Sequence, residues 1–335
     1  MTDLVRDDPR TVEDGAVAAR LDFLWLELTG KCNLACRHCY ASSGPDQPLH
    51  GRMRHADWEA TIRQAAGLGC RAIQFIGGEP LLYPRIDDLV SLAQAEGFQL
   101  IEIFTNGTPI NRERAEFFRK FGVRIACSFY SADPAVHDRI TQKRGSFDRT
   151  VTALRLLNDA QVSVRAGFIE MEENRGHFEP ARALLAGLGV ERVGHDAIRA
   201  FGRGETVAVE PPATTGKYGG LCGQCWRNRL CVNAGGDLSP CPMSREFVVG
   251  NVLDDGLETV LRAAPLRTFQ TEMAAEFGVR AHPGGPGKPK PEDAPPCGPG
   301  PVPCMICGPG NCSPDFACLP DNACPICFPG LCIPG

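Results

Sequence analysis

Six times between residues 22 and about 197, an apolar run rich in β-branched and aromatic residues gives way to a longer stretch of helical period. A chain that alternates in this way builds a parallel sheet with crossover helices. The predicted strands are Phe23–Leu28, Arg71–Ile76, Gln99–Phe104, Val123–Phe129, Val162–Ile169 and Arg192–Ile198, with helices near 55–68, 86–96, 110–120, 147–159 and 178–187. Gly67, Gly69, Gly97, Gly122 and Gly189 fall just past the helical stretches, where a residue able to take positive φ ends a helix. Six right-handed units suit either a doubly wound sheet or an incomplete barrel.

The chain of 335 residues has room for one large domain and a small one. With 43% hydrophobic and 22% charged residues it reads as globular, and 40 acidic against 35 basic residues leave no field that calls for nucleic acid. The best apolar run, Leu21–Leu28, is interrupted by Asp22 and Glu27, far short of the roughly 20 apolar residues of a membrane span. Asp3, Asp7, Asp8, Glu13 and Asp14 near the start are wrong for a secretory signal, so a cytoplasmic protein is expected.

Seventeen cysteines in a reducing compartment read as metal ligands more readily than as disulfides. They are clustered. Cys32, Cys36 and Cys39 form one group, Cys222, Cys225, Cys231 and Cys241 a second, and eight more crowd into residues 297–332. Cys70 and Cys127 stand apart and read as small buried hydrophobes. In the first group three thiolates leave one iron of a four-iron cubane open, the mark of a catalytic site. A structural zinc site, with His38 as fourth ligand, is the alternative.

The spacing Cys32-x3-Cys36-x2-Cys39 at the end of the first strand resembles the radical S-adenosylmethionine (SAM) superfamily. That resemblance implies an incomplete (β/α)6 TIM-like barrel with a [4Fe–4S] cluster and SAM at the C-terminal ends of its strands. The unique iron would chelate SAM, and a reduced cluster would release a 5′-deoxyadenosyl radical. Ile76-Gly77-Gly78-Glu79-Pro80 matches the superfamily element whose backbone and carboxylate hold the SAM amino group, and glycine suits a close backbone approach there. By the same resemblance His38 lies against adenine, Thr105 and Asn106 belong to a polar turn at the cofactor, and Ser128 is a ribose or carboxylate contact. Tyr130 stands where relatives carry an acid. It is the one candidate for a catalytic side chain, facing substrate, with simple packing as the other reading. His137-Asp138 and Gly145-Ser146-Phe147-Asp148 keep the family pattern downstream, and none of His137, His177 and His195 is expected to act as a base.

Cys222-x2-Cys225-x5-Cys231-x4-Gly236-x4-Cys241 resembles the auxiliary-cluster region called SPASM or twitch. Gly235-Gly236-Asp237 is expected to turn a hairpin that brings Cys231 and Cys241 together. A zinc ribbon is the rival. One helix is predicted over Leu257–Phe277. From residue 281 the chain holds 15 Pro, 9 Gly and 8 Cys in 55 residues, too little apolar matter for a core. Two copies of C-x-I-C-x-P-G-x-C lie within it. Cys297, Cys304, Cys307, Cys312, Cys318, Cys324, Cys327 and Cys332 are therefore candidate ligands of further clusters, ordering the tail by metal-coupled folding, or else parts of a flexible extension. The expected division is an extension over 1–21, the barrel over 22–200, an auxiliary cysteine-rich domain over 201–280 and the tail over 281–335.

The resemblance implies an oxidoreductase that abstracts hydrogen from a substrate, preferably a ribosomal peptide that is cross-linked, epimerised or oxidised. A sugar or antibiotic intermediate is the alternative substrate, and a non-catalytic iron–sulfur electron carrier is a more distant one. The implied partners are an electron donor such as flavodoxin or ferredoxin and a separate leader-peptide recognition protein.

Overall fold

A computed structural model describes residues 20–207, 217–223, 225 and 228–277. The first described elements are five βα units and a sixth strand: β1 (Phe23–Glu27), α1 (His55–Gly67), β2 (Ala72–Ile76), α2 (Ile86–Ala95), β3 (Leu100–Thr105), α3 (Arg112–Lys120), β4 (Arg124–Ser128), α4 (Pro134–Thr141), α5 (Ser146–Asp159), β5 (Val164–Glu170), α6 (Phe178–Gly187) and β6 (Arg192–Ala197). These strands pair in parallel and in chain order. Among the described residues β6 ends the sheet, so the barrel is not closed. Gly69, Gly97, Gly122 and Gly189 take positive φ as expected, whereas Gly67 is still helical. Helix α4 is additional to those expected, although Asp133-Pro134 announces it. The Asp133 carboxylate accepts from the N–H groups of Ala135 and Val136, and proline fits the first helical position.

On the other side of β1 lies β7 (Arg229–Val232), also parallel, followed by the antiparallel β8 (Asp237–Ser239) and β9 (Gly250–Asn251). The auxiliary region thus extends the barrel sheet. Its Leu230, Val232, Leu238 and Val252 enter the same core as Leu24, Leu26 and Phe75. Tyr218, Leu221, Cys225, Phe269 and Met273 make a second, smaller cluster. The single helix expected over Leu257–Phe277 is two, α7 (Leu257–Arg262) and α8 (Ala264–Glu276), separated at Ala263, which is extended at ψ 149°. Pro265 explains the break: it donates no backbone hydrogen bond, and its ring clashes with the carbonyl four residues back. Among the described residues no helix is long and apolar enough to cross a membrane.

Side chains alternate across each strand. Ile73, Phe75, Ile101, Ile103, Cys127 and Phe168 face the helices in the main core, with Cys70 beside them. The opposite face is polar at its base, where Glu102 on β3 accepts from Arg165 Nε on β5 at 2.7 Å and from Gln74 on β2, all three buried. Removing one member of such a pair strands a charge. Glu102→Ala is expected to lower stability by about 3–5 kcal/mol in urea unfolding, and the double change Glu102→Leu with Arg165→Met by clearly less.

Candidate active site

The first cysteine group lies on the loop that follows β1, and neighbouring backbone holds that loop in place. Cys32 N–H donates to Gly44 O at 3.0 Å, while Ala35 and Arg37 donate to Thr141 and Ile140 at the end of α4. Cys32, Cys36 and Cys39 line one cavity at the C-terminal ends of the strands, together with Gly77, Gly78 and Asn106. Burial pushes the Cys32 thiol up to about 12, and burial raises Cys36 as well, with charge on Cys39 and Cys32 adding to it. Thiols held up in this way at Cys32 and Cys36 suit a cationic centre that would bind them as thiolates. Among the described residues no three His, Cys, Asp or Glu side chains converge on a single ion.

Gly77 and Gly78 press against the cysteine loop. Gly78 N–H donates to Thr29 O at 2.7 Å and Glu79 N–H to Lys31 O at 2.9 Å. A Cβ on Gly78 would stand 2.3 Å from Lys31 O, so no side chain fits there. The Glu79 carboxylate, expected to meet the SAM amino group, is fully buried and accepts hydrogen bonds from the protein. Its Oε1 accepts from Thr105 Oγ1 at 2.7 Å and Leu81 N at 3.1 Å, and its Oε2 from Asn106 N at 2.8 Å. Burial pushes it up to about 7 against those hydrogen bonds. The part of the motif that lines the cavity is Gly77 and Gly78, while Glu79 ties the end of β2 to the end of β3. Asn106, fixed in this way, donates through Nδ2 to Asn33 Oδ1 at 2.9 Å and to Cys32 Sγ at 3.7 Å.

His38 also lines the cavity, and its buried Nδ1 has no hydrogen-bond partner. Burial, with the Arg203 charge, lowers it to about 4, so it presents a neutral ring. Its ring meets Tyr130 edge-on at 4.8 Å. Tyr130 is hydrogen-bonded to Ser128, lines the cavity and packs on Val136, Ile140 and Met171. His137, His177 and His195 do not line the cavity. His137 pairs with Ser146, His177 with Ser131 and His195 with Glu170. The downstream pattern is structural, because Asp138 accepts from Phe147 N at 2.9 Å and Ser146 Oγ at 2.8 Å and so caps α5.

Arg203, which the sequence reading missed, reaches back across the site. Its Nε donates to Cys36 O at 2.9 Å, its Nη2 to Ser43 O at 2.6 Å and its backbone N–H to Cys39 O at 3.0 Å. Gly202, at φ +54°, permits this approach, since a Cβ there would lie 2.4 Å from Tyr40 O. The only sequence signal was a Gly-Arg-Gly run shortly after a strand.

In the second cysteine group Cys225 Sγ and Cys241 Sγ are 3.3 Å apart. Hydrogen bonds with Cys222 and Cys241 raise Cys225, and the bond from Cys225 lowers Cys241. Cys231 sits buried on β7, opposite Trp25 in register. The hairpin turns at Gly236, φ +91°, while Asn233 Oδ1 accepts from Gly235 and Asp237. Tail cysteines Cys297, Cys304, Cys307, Cys312, Cys318, Cys324, Cys327 and Cys332 lie outside the described residues.

Residues 26–179 match the radical SAM superfamily, and residues 222–281 match SPASM, an iron–sulfur cluster-binding domain. The antilisterial bacteriocin subtilosin biosynthesis protein AlbA of Bacillus subtilis is 23% identical over 75% of this chain and 62% of its own length. An AdoMet-dependent heme synthase of Oleidesulfovibrio alaskensis is 30% identical over 54% of this chain and 46% of its own. The chain therefore spans less than two thirds of either curated relative. Streptococcus suis SuiB, solved with S-adenosylmethionine, has the same fold at 17% identity and a TM-score of 0.62, over 74% of this chain and 67% of SuiB.

Two substitutions probe the scaffold. Burial raises Asp138, but the N–H groups of Phe147 and Gly145 and the Ser146 hydroxyl outweigh it and hold the carboxyl below the usual range. Its stabilisation is thus full above the ordinary carboxylate pKa and fades as pH falls through the lowered value. Asp138→Asn should cost about 1–2 kcal/mol at neutral pH, with the gap to the parent narrowing in acid urea titrations. Arg203→Met is expected to reduce iron retained after anaerobic reconstitution and gel filtration, with Arg203→Lys intermediate because an ammonium cannot fork to two carbonyls.

Proposed function

We propose, for a chain that belongs to the radical SAM superfamily and carries a SPASM domain, that it is a cytoplasmic oxidoreductase that modifies a ribosomally made peptide. One observation carries the reading: the three thiols of the loop after β1 and the Gly77-Gly78 backbone line the same cavity. Cys32, Cys36 and Cys39 would hold the [4Fe–4S] cluster, whose open iron binds SAM and, when reduced, cleaves it to a carbon radical able to take hydrogen from an unactivated position.

The protein's own part is placement and exclusion. Gly77 and Gly78 admit the methionine end of SAM without a side chain in the way, and His38 offers a neutral ring for the adenine. Ser128, Thr105 and Asn106 supply polar contacts. Ile169, Ile198 and Met243 wall the cavity with apolar surface, which keeps water from a reactive radical. Tyr130 faces that space as the candidate catalytic group. Cys222, Cys225, Cys231 and Cys241 would hold an auxiliary cluster, with tail cysteines as further ligands. A cluster held there would supply an electron acceptor, which suits a cross-link or desaturation, whereas return of a hydrogen atom would suit epimerisation. A flavodoxin or ferredoxin supplies electrons, and a separate protein presents the leader peptide.

Peptide substrates are favoured because AlbA serves bacteriocin biosynthesis and SuiB has been solved with its precursor peptide SuiA. The heme synthase, more nearly identical over a shorter stretch, favours a second reading in which the substrate is a small molecule. The reconstituted full chain with dithionite and SAM should yield 5′-deoxyadenosine, lost in Cys36→Ala and kept in Cys231→Ala. Co-expression with a short precursor peptide encoded beside it should leave that peptide lighter by two hydrogens or with an inverted residue. An unchanged peptide alongside active SAM cleavage would sink the peptide reading and leave the small-molecule one.

A further inference from the structure

Between the two cysteine groups lies a pair of charges that the cofactor site does not use. Glu27 is the last residue of β1 and sits on the same face as Trp25, the register partner of Cys231. Arg245 follows Cys241 by four residues, on a turn fixed by hydrogen bonds from Ser244 N to Cys241 O at 3.1 Å and from Cys241 N to Ser244 Oγ at 2.9 Å. Arg245 Nη2 donates to Glu27 Oε1 at 2.8 Å, and the Glu27 side chain is only 8% exposed. The guanidinium also lies over the ring of Tyr40, 5.2 Å from its centre, and Tyr40 directly follows Cys39. Finally, Arg245 Nε is buried without an acceptor. A buried N–H left in this way is costly unless an acceptor meets it, and sulfur is one.

We propose that the Glu27–Arg245 pair sets the reduction potential of the iron–sulfur centre held by Cys231 and Cys241. The proposal rests on the reading that the second cysteine group carries a cluster. A cluster that gains one electron becomes more negative by one charge. A neighbouring cation stabilises that reduced form and a neighbouring carboxylate opposes it, and salt screens the buried Glu27 less than the partly exposed Arg245. Arg245, anchored four residues from a ligand, acts as the favourable charge and the donor. Glu27 holds it in place and offsets it. Both are positioning residues, since neither is required to touch substrate.

The test is a dithionite titration of the reconstituted full chain followed by electron paramagnetic resonance, with Cys231→Ala identifying the auxiliary signal. Glu27→Gln should move the auxiliary midpoint upward, Arg245→Met downward, and the double variant should fall between them. The first centre should shift by less, and iron per chain in Glu27→Gln should match the parent. Arg245→Lys, which keeps the charge, should restore most of the shift. Midpoints that stay put in Glu27→Gln, or that move the same way in both single variants, overturn the proposal alone. If the parent shows no centre that Cys231→Ala removes, the underlying reading fails first and this one with it.

Discussion

The loop that carries Cys32, Cys36 and Cys39 has neither helix nor extended strand to shape it, and its form depends on carbonyl groups captured by distant strand ends. Thr29 O and Lys31 O accept from Gly78 and Glu79 at the end of β2, while Cys36 O, Cys39 O and Ser43 O accept from Arg203 beyond β6. An open sheet has no ring of hydrogen bonds to keep its first and last barrel strands in fixed relation. Here the cysteine loop spans that opening, so the same contacts that aim the thiols also brace the scaffold. The glycines follow from this, because backbone approaching within 3 Å leaves no room for a Cβ.

The two faces of the sheet divide the labour. Its helix-facing side is a continuous apolar core and accounts for the stability of the layer. The inner side carries Gln74, Glu102 and Arg165 at its base and the thiols and polar turns above them. Buried ionic groups of this kind contribute little net stability, since desolvation offsets their attraction. They fill the base of the barrel with groups that satisfy one another, and the apolar and polar lining of the cavity begins above them.

Much of this was legible in the residues. Apolar runs rich in β-branched and aromatic residues located all six barrel strands to within two residues, because strands of a parallel sheet covered by helices leave a dense apolar signature. The cysteine spacings and the Gly-Gly-Glu element pointed to one cavity because each falls at a strand end. Other features were beyond reach. The type of residue at Glu79 and its place in a motif do not reveal that Thr105 and Asn106 donate to its carboxylate. Arg203 lies 167 residues from Cys36 in sequence, and no local pattern encodes a contact of that range. The break before Pro265 was visible, and helical periodicity on either side masked it.

The pairing of β7 with β1 has a consequence for how such a molecule can be divided. With residues 229–251 in place β1 is an interior strand; cut away, its backbone donors and acceptors would form a bare edge flanked by Leu24 and Leu26, a template for adhesion between copies. The barrel cannot be trimmed back to its first two hundred residues without inviting aggregation. Changes to the hairpin's sequence are therefore constrained by solubility as well as by chemistry.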